Sequence, residues 1–227
     1  MTADTTAPVL LRRLKSLGSR RNIEGMARFG ITSRRVFGVG TVPLRTLGKR
    51  IGRNHALAQR LWRSGYLEAR ILAALIEDPA LVTSRQMDRW AQDFDNWAVC
   101  DGCCSIVFDK TPFAYSKAGT WSHSSREFVK RAGYVMMAVL AVHDKRASDA
   151  VFLKFFPHIR RGATDNRNFV KKAVNWALRQ IGKRNRNLNT HTLRLAASIR
   201  QIDSPAARWI AADAIRELRS KRNHLRS

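Results

Sequence analysis

Apolar residues recur along this chain at the three- and four-residue spacing of amphipathic α-helices, and alternating strand patterns are nearly absent. Short polar breaks such as Ser64-Gly65 and Asp78-Pro79 separate the helical segments. The pattern therefore predicts an all-α protein. The predicted helices cover residues 23–29, 43–63, 66–77, 83–95, 96–108, 124–142, 147–160, 167–184, 189–201 and 205–220.

A weak internal repeat suggests how these helices are arranged. The pentapeptide FVKRA at 128–132 recurs 41 residues later as FVKKA at 169–173, and LEARI at 67–71 resembles both. A period near 40 residues in a helical chain is typical of stacked HEAT-type helix pairs, which form an α-solenoid. We therefore expect a solenoid of HEAT-like repeats with an extended concave surface, and the charge of the chain predicts that this surface is basic.

The N-terminal 22 residues are basic, and their one apolar cluster, at 8–11, is too short for a secretory signal. No apolar run approaches the ~18 residues that span a bilayer. We expect a flexible arm over 1–22 and one folded domain over 23–227. We also expect a monomer that has no membrane partner and lies in the bacterial cytoplasm with the nucleoid.

The charge balance of the chain indicates a polyanionic partner. Its 42 Lys and Arg against 17 Asp and Glu give a formal net charge of +25 among 227 residues. Such an excess without a hydrophobic anchor is typical of nucleic-acid binding, and less often of binding to an anionic membrane surface.

The three cysteines lie within five residues, at Cys100, Cys103 and Cys104. An odd, clustered set does not form a disulfide framework, which indicates a reducing compartment. The Cys100-x-x-Cys103 spacing has no second ligand pair for zinc. We therefore expect packed apolar cysteines, no metal and no cofactor.

The basic residues are concentrated between Arg160 and Arg186, where nine Lys or Arg stand against one acid. Helical phase places Lys172, Trp176, Arg179 and Lys183 on one stripe, opposite an apolar face. The stripe indicates phosphate contacts, with Trp176 packing on a sugar or base. The alternative is that Trp176 lies at the edge of the core among solvated cations.

Three further cations of the two pentapeptides join the predicted DNA-binding set. These are Lys130, Arg131 and Lys171. The guanidinium of Arg131 could hold a phosphate through two hydrogen bonds. An ion pair with Glu127, one helical turn earlier, is the alternative interpretation of Arg131.

An unexpected group of acids, DFDNWAVCD at 93–101, accompanies Trp97 in this basic chain. Trp97 and Asp101 are four residues apart, so a helix places the indole and the carboxylate on one side. An acid beside an aromatic face indicates that something cationic is bound there. Asp93, four residues before Trp97, is the alternative carboxylate, whereas helix-end capping or solvation would explain Asp93 and Asp95.

An alkylated purine within DNA combines a cation with a polyanion. Alkylation at N3 or N7 charges the base, which then leaves as a neutral purine and requires no general acid. The remaining task is to stabilise the positive charge that develops on the deoxyribose. Asp101 could stabilise that charge and orient the attacking water, while Trp97 and Trp176 add cation–π attraction.

Several motifs carry a family resemblance over about 26–218. They are LWxSGxxEAR at 61–70, QMDxW at 86–90, DFDNWxxCD at 93–101, FVKRAG at 128–133, AVHDK at 141–145 and NFVKKAVNWA at 168–177. Through them the chain resembles the AlkD-like DNA alkylation-repair glycosylases, all-helical proteins of HEAT-like repeats. That likeness assigns catalysis to Asp101, Trp97 and Trp176 and a phosphate contact to Arg131.

The resemblance implies a monofunctional glycosylase that excises 3-methyladenine and 7-methylguanine from double-stranded DNA and leaves an abasic site. It also implies that the lesion is approached from the sugar-phosphate side, without a pocket for a flipped base. Two departures from the family are Ala98, where relatives often carry an acid, and the short basic N-terminal region. The alternative function is a non-enzymatic repeat module that binds DNA or structured RNA by shape and charge.

Overall fold

The structure of this protein, a computed structural model, describes residues 6–221. Within those residues it contains fourteen α-helices and no strand, which confirms the all-α prediction. None of these helices has both the length and the apolar character needed to cross a bilayer. The helices are α1 (Ala7–Ser16), α2 (Arg20–Arg28), α3 (Thr41–Ile51), α4 (His55–Arg63), α5 (Leu67–Ile76), α6 (Ser84–Gln92), α7 (Trp97–Ile106), α8 (Ala114–Trp121), α9 (Glu127–His143), α10 (Asp149–Leu153), α11 (Phe156–Gly162), α12 (Asn168–Gly182), α13 (Arg186–Arg200) and α14 (Pro205–Lys221).

The N-terminal segment differs from the flexible arm expected over 1–22. Residues 7–16 form α1, whose Leu10 and Leu14 are buried and whose helix packs on α4 and α5. The three-to-four-residue spacing of Ala7, Leu10 and Leu14 gives α1 an apolar face, and a proline lies in its first turn. The expectation of an arm is therefore corrected at α1, because these apolar side chains find a core to pack against.

The helix predicted over 43–63 is two helices. Gly52 ends α3 with a φ of 71°, a backbone conformation that L side chains rarely adopt. Asn54 then starts α4, because its side chain accepts a hydrogen bond from the Leu57 N–H at 3.0 Å.

The structure differs from the predicted helices in two further places. The helix predicted over 147–160 divides into α10 and α11, and Pro157, which has no N–H to donate, lies in the first turn of α11. The sequence pattern also missed α8, an eight-residue helix that contains Gly119. Its Ala114, Ala118 and Trp121 are buried, so packing supports a helix that the local sequence does not indicate.

The chain forms two compact units, Met1–Thr111 and Pro112–Ser227, and the boundary expected at residue 23 does not coincide with this division. In the first unit, α3, α4, α7 and α1 all pack on α5. Trp62 and Trp90 stack there with ring centroids 4.0 Å apart and are almost fully buried. Both rings therefore contribute to the core of this unit.

The second unit has two layers of helices. Helices α9, α12 and α14 pack side by side, while α8, α11 and α13 cover them. The repeated pentapeptides meet where α9 contacts α12, since the Phe128 and Phe169 rings lie 5.3 Å apart. Paired side chains on α12 and α14 are likewise 38 residues apart, as in the Asn175–Asp213 hydrogen bond. The repeat predicted from sequence is therefore also a structural repeat.

A charged cluster joins α9 to the loop before α12. Asp165 accepts hydrogen bonds from Lys130 at 2.8 Å and from Arg167 at 2.6 Å. Burial opposes ionisation of Asp165, but these hydrogen bonds outweigh it and hold the Asp165 pKa well below its usual value. The ionised carboxylate thus stabilises the fold at neutral pH.

Asp165→Asn is expected to lower the free energy of unfolding at pH 7 by about 1–2 kcal/mol, a value reduced for solvent screening. Because the folded pKa is lowered, this contribution is present above the unfolded pKa of about 3.9 and is lost as the pH falls below it. Urea unfolding of both proteins from pH 7 to pH 3 measures the difference. A difference that stayed constant over this range would contradict the assignment.

Candidate functional site

The side chains of Trp97 and Asp101 line one groove in the first unit, of about 380 Å³. The Asn96 side chain caps α7 by accepting a hydrogen bond from the Val99 N–H at 3.0 Å, so that Trp97 is the first helical residue. Asp101 follows one turn later on the same side. The prediction that ring and carboxylate share a helix face is confirmed.

The surroundings of Asp101 are largely apolar. Asp101 is half-buried, and the groove is lined by aliphatic side chains of α2, α3 and α5 together with Arg45. Ser105, one turn further along α7, donates a hydrogen bond to the Asp101 carbonyl at 2.8 Å. An apolar wall excludes water and so strengthens the attraction between a carboxylate and a cation in the groove.

The indole of Trp97 is held by the segment that follows α2. Its Nε1 donates to the Phe29 carbonyl at 2.9 Å, and Met26 and Ile31 also line the groove beside the ring. Sequence reasoning missed these residues. The amphipathic pattern of 23–29 was the available signal, but it does not reveal which helix α2 would contact.

Asp93, the alternative carboxylate, is engaged in packing. Its side chain accepts a hydrogen bond from the Trp62 Nε1 at 2.7 Å, and its carbonyl accepts one from Arg70 at 2.9 Å. Asp93 is also the C-cap of α6. Asp95 similarly accepts hydrogen bonds from Ser33 and Asn96. These contacts give Asp93 and Asp95 roles in packing and capping.

The predicted cationic stripe lies on α12 in the second unit, but two of its cations have partners on α14. Arg179 pairs with Glu217, which also lies 2.7 Å from Lys183. Burial raises the pKa of Glu217, yet the hydrogen bonds from Lys183 and Arg179 outweigh burial and lower it. This cluster therefore binds α12 to α14, and Arg179 and Lys183 are less available to phosphates than their spacing predicted.

The other cations that were predicted to contact phosphates also have partners within the protein. Lys130 pairs with Asp165, and the Lys171 ammonium lies 5.0 Å from the Trp209 ring centroid. Arg131 is only 7% exposed and donates to the Phe169 carbonyl at 2.7 Å. This hydrogen bond links α9 to α12, and the phosphate contact of Arg131 stays a prediction.

Lys172 is the stripe residue that faces solvent most directly. Lys172 is exposed and forms no ion pair within residues 6–221. Trp176 is half-buried, and its Nε1 lies 3.0 Å from the Gln180 side-chain oxygen in the amide orientation that satisfies both groups. Its role at a sugar stays a prediction.

The cysteines of α7 are core residues. Cys100, Cys103 and Cys104 are at most 1% exposed, as their interpretation as apolar packing predicted. Burial is also the main cause that raises the pKa of the Cys103 and Cys104 thiols. No group of three His, Cys, Asp or Glu that could hold a metal occurs in the part of the chain that the structure describes.

Comparison with known proteins agrees with this fold. A solved structure from "a new family of proteins related to the HEAT-like repeat DNA glycosylases with affinity for branched DNA structures" is similar, with a TM-score of 0.76 at 20% sequence identity. The similarity covers 93% of this chain and 95% of that chain, and it confirms the predicted HEAT-like fold. Among curated proteins, none matches.

A family match identifies the chain more directly. Residues 10–218 match the family described as DNA alkylation repair enzyme. The match begins within α1 and extends into α14, so that it spans nearly the whole chain, as the resemblance of the sequence motifs predicted. This protein belongs to the DNA alkylation repair enzyme family.

Proposed function

We propose that this protein is a monofunctional DNA glycosylase that removes cationic alkylated purines, 3-methyladenine and 7-methylguanine, from duplex DNA. The observation that carries the proposal is the groove in which Trp97 and Asp101 lie side by side. Membership of a DNA alkylation repair family and a net charge of +25 support DNA as the substrate.

The proposed reaction requires one carboxylate. As the C1′–N bond breaks, its electron pair passes to the alkylated base, which leaves as a neutral purine. Asp101 stabilises the positive charge that develops on the sugar and accepts a proton from the water that attacks C1′. The products are a free purine and an abasic site.

Aromatic side chains complete the proposed site. Trp97 offers its ring to the sugar cation, an attraction typically worth about 0.5–2 kcal/mol. The family resemblance implies a similar contact for Trp176. The proposed enzyme acts as a monomer, without a metal or cofactor, and reaches the lesion from the sugar-phosphate side without flipping the base into a pocket.

A second candidate function is binding of branched DNA without chemistry. One observation favours it: the similar solved structure belongs to a family described as having affinity for branched DNA. The carboxylate at position 101 distinguishes the two candidates, because a protein that only binds phosphates gains nothing from an acid at the contact surface.

The test is direct. The wild-type protein is incubated with methylated duplex DNA, and free purines are identified by mass spectrometry while abasic sites are counted after mild alkali. We expect 3-methyladenine, 7-methylguanine and an equal number of abasic sites, without strand cleavage before alkali. Tight binding to branched DNA with no base released would instead favour the second candidate.

The ion pairs on α12 predict which cations matter for DNA binding. Lys172→Ala should weaken duplex binding about 3-fold or more and reduce the slope of log Kd against log salt by about one. Lys183→Ala is the matched control, because Lys183 already pairs with Glu217 and should change the slope less. Anisotropy titrations at several salt concentrations measure both. Equal slopes for Lys172→Ala and wild type would remove Lys172 from the contacts.

A further inference from the structure

A second groove, in the second unit, collects basic and hydrogen-bonding groups that the proposed chemistry does not use. It has a volume of about 570 Å³ and lies between α8 and α11. Two histidines and a lysine contribute to it, His123, His158 and Lys154. None of its lining residues lies on α12, which carries Lys172 and the rest of the stripe.

Arg161 determines which ring nitrogens of His123 and His158 carry a proton. Its Nη2 lies 3.1 Å from the His158 Nδ1 and also contacts the His123 Nε2, and the two rings are 5.3 Å apart. Because a guanidinium only donates hydrogen bonds, the ring nitrogens that face it are acceptors. The proton of neutral His158 is then on Nε2, which is a hydrogen-bond donor beside the groove.

Gly119 leaves the edge of this imidazole open. A Cβ built on Gly119 would lie 3.8 Å from the His158 Nε2. The backbone of α8 thus passes close to the ring, and no side chain at position 119 covers its donor.

No carboxylate balances this cluster. Within residues 6–221, no ion pair joins Lys154, Arg161, His123 or His158 to an acid. Asp144 accepts a hydrogen bond from the hydroxyl of Tyr115, a lining residue, at 2.8 Å. Burial, Arg161 and His123 together lower the pKa of His158, as expected for an uncompensated positive environment.

The same contacts argue against a metal ion in this groove. Metal binding uses the imidazole lone pairs, but Arg161 and the Ser122 hydroxyl, at 2.9 Å, already lie against the His158 Nδ1. A guanidinium at the ligand position would also repel a cation. Fixed donors and unbalanced positive charge suit an anion with several acceptor oxygens.

We propose that the groove between α8 and α11 binds a backbone phosphate of a DNA segment other than the one held at α12. Lys154 and the His158 Nε2–H donate to the phosphate oxygens, Arg161 supplies further positive charge, and His123 holds Arg161 at the groove. DNA is the source favoured by the charge of the chain and by its family. The proposed phosphate site does not require base excision, but it rests on the proposed contact of α12 with DNA.

The test compares an undamaged three-way DNA junction with a plain duplex. His123→Ala and Lys154→Ala change side chains at the open rim of the groove, so that folding is preserved. Each should weaken junction binding about 3- to 10-fold, while duplex binding and release of methylated purine stay unchanged, and Lys154→Ala should also lower the salt slope of junction binding by about one. Arg194→Ala is the matched control, because Arg194 is an exposed cation of α13 that does not line the groove. Junction binding equal to that of wild type in both variants would overturn the DNA assignment.

A second measurement separates DNA from free phosphate. Histidine ring signals are followed by NMR during titration with inorganic phosphate. Shifts of the His158 and His123 signals support a phosphate site. Shifts without any loss of junction binding in the variants would overturn DNA as the source, and no shifts together with unchanged junction binding would overturn the site itself.

Discussion

Asp101→Asn is expected to lower the rate of release of 7-methylguanine by about 10²- to 10⁴-fold, the usual range for removing a group that acts on charge in the transition state. Asparagine keeps the size of the side chain but carries no negative charge to stabilise the sugar cation. DNA affinity should change by no more than about 2-fold, because loss of an acid does not remove a phosphate contact. Single-turnover kinetics with excess protein measure the chemical step apart from binding.

Asp93→Asn is the matched control for this experiment. The amide oxygen of asparagine can still accept the hydrogen bond that Trp62 donates to Asp93, so the packing of α4 against α6 is kept. We expect release within about 3-fold of wild type. A large loss of release in Asp93→Asn together with a small one in Asp101→Asn would transfer the catalytic role to Asp93.

Glu68→Ala should lower the free energy of unfolding by at least about 3 kcal/mol. Glu68 is fully buried, and its carboxylate accepts hydrogen bonds from the backbone N–H groups of Phe37, Gly38 and Val39 at 2.6 to 3.1 Å. Removing the carboxylate leaves these donors without their acceptor, at about 1–3 kcal/mol for each buried group. Urea denaturation measures the change.

The same substitution should also impair excision. Val39 lines the groove beside Asp101, and Glu68 fixes the segment that contains it. Glu24→Ala is the control, since the exposed ion pair of Glu24 with Arg20 should contribute less than about 0.5 kcal/mol. An unfolding free energy of Glu68→Ala within about 0.5 kcal/mol of wild type would contradict this role for the carboxylate.

The local sequence pattern was sufficient to predict features that depend only on residues close together in the chain. The four-residue spacing of Trp97 and Asp101 predicted their shared face, because a helix fixes that geometry regardless of what surrounds it. The apolar face of α12, with Val170, Val174 and Ile181 fully buried, was predicted in the same way. The helical repeat followed from two similar pentapeptides.

The local sequence pattern was insufficient to predict the contacts of side chains whose partners are distant in the chain. Arg179 and Lys183 form a cationic stripe by spacing, but the acid that pairs with them, Glu217, lies on another helix. Arg131 likewise meets the carbonyl of Phe169 in the next repeat. Which repeats touch, and in what register, is decided by packing between helices rather than by local periodicity.

The local sequence pattern also failed to predict the N-terminal helix α1. A basic, alanine- and serine-containing segment gave little sign of order, yet α1 packs on α4 and α5, and α2 helps to enclose Trp97. The groove residue of α2, Met26, lies in the helix predicted over 23–29, whereas α1 belongs to the segment that was expected to be an arm.

The most direct test of the central claim is the release of a cationic and of a neutral lesion by the same protein. Duplexes that carry one 7-methylguanine or one O6-methylguanine are incubated with wild-type protein under single-turnover conditions, and abasic sites are counted over time. Because Asp101 is proposed to act on a sugar whose leaving base is already charged, we predict release of 7-methylguanine and none of O6-methylguanine. Failure to release 7-methylguanine, or equal release of both bases, would contradict the account.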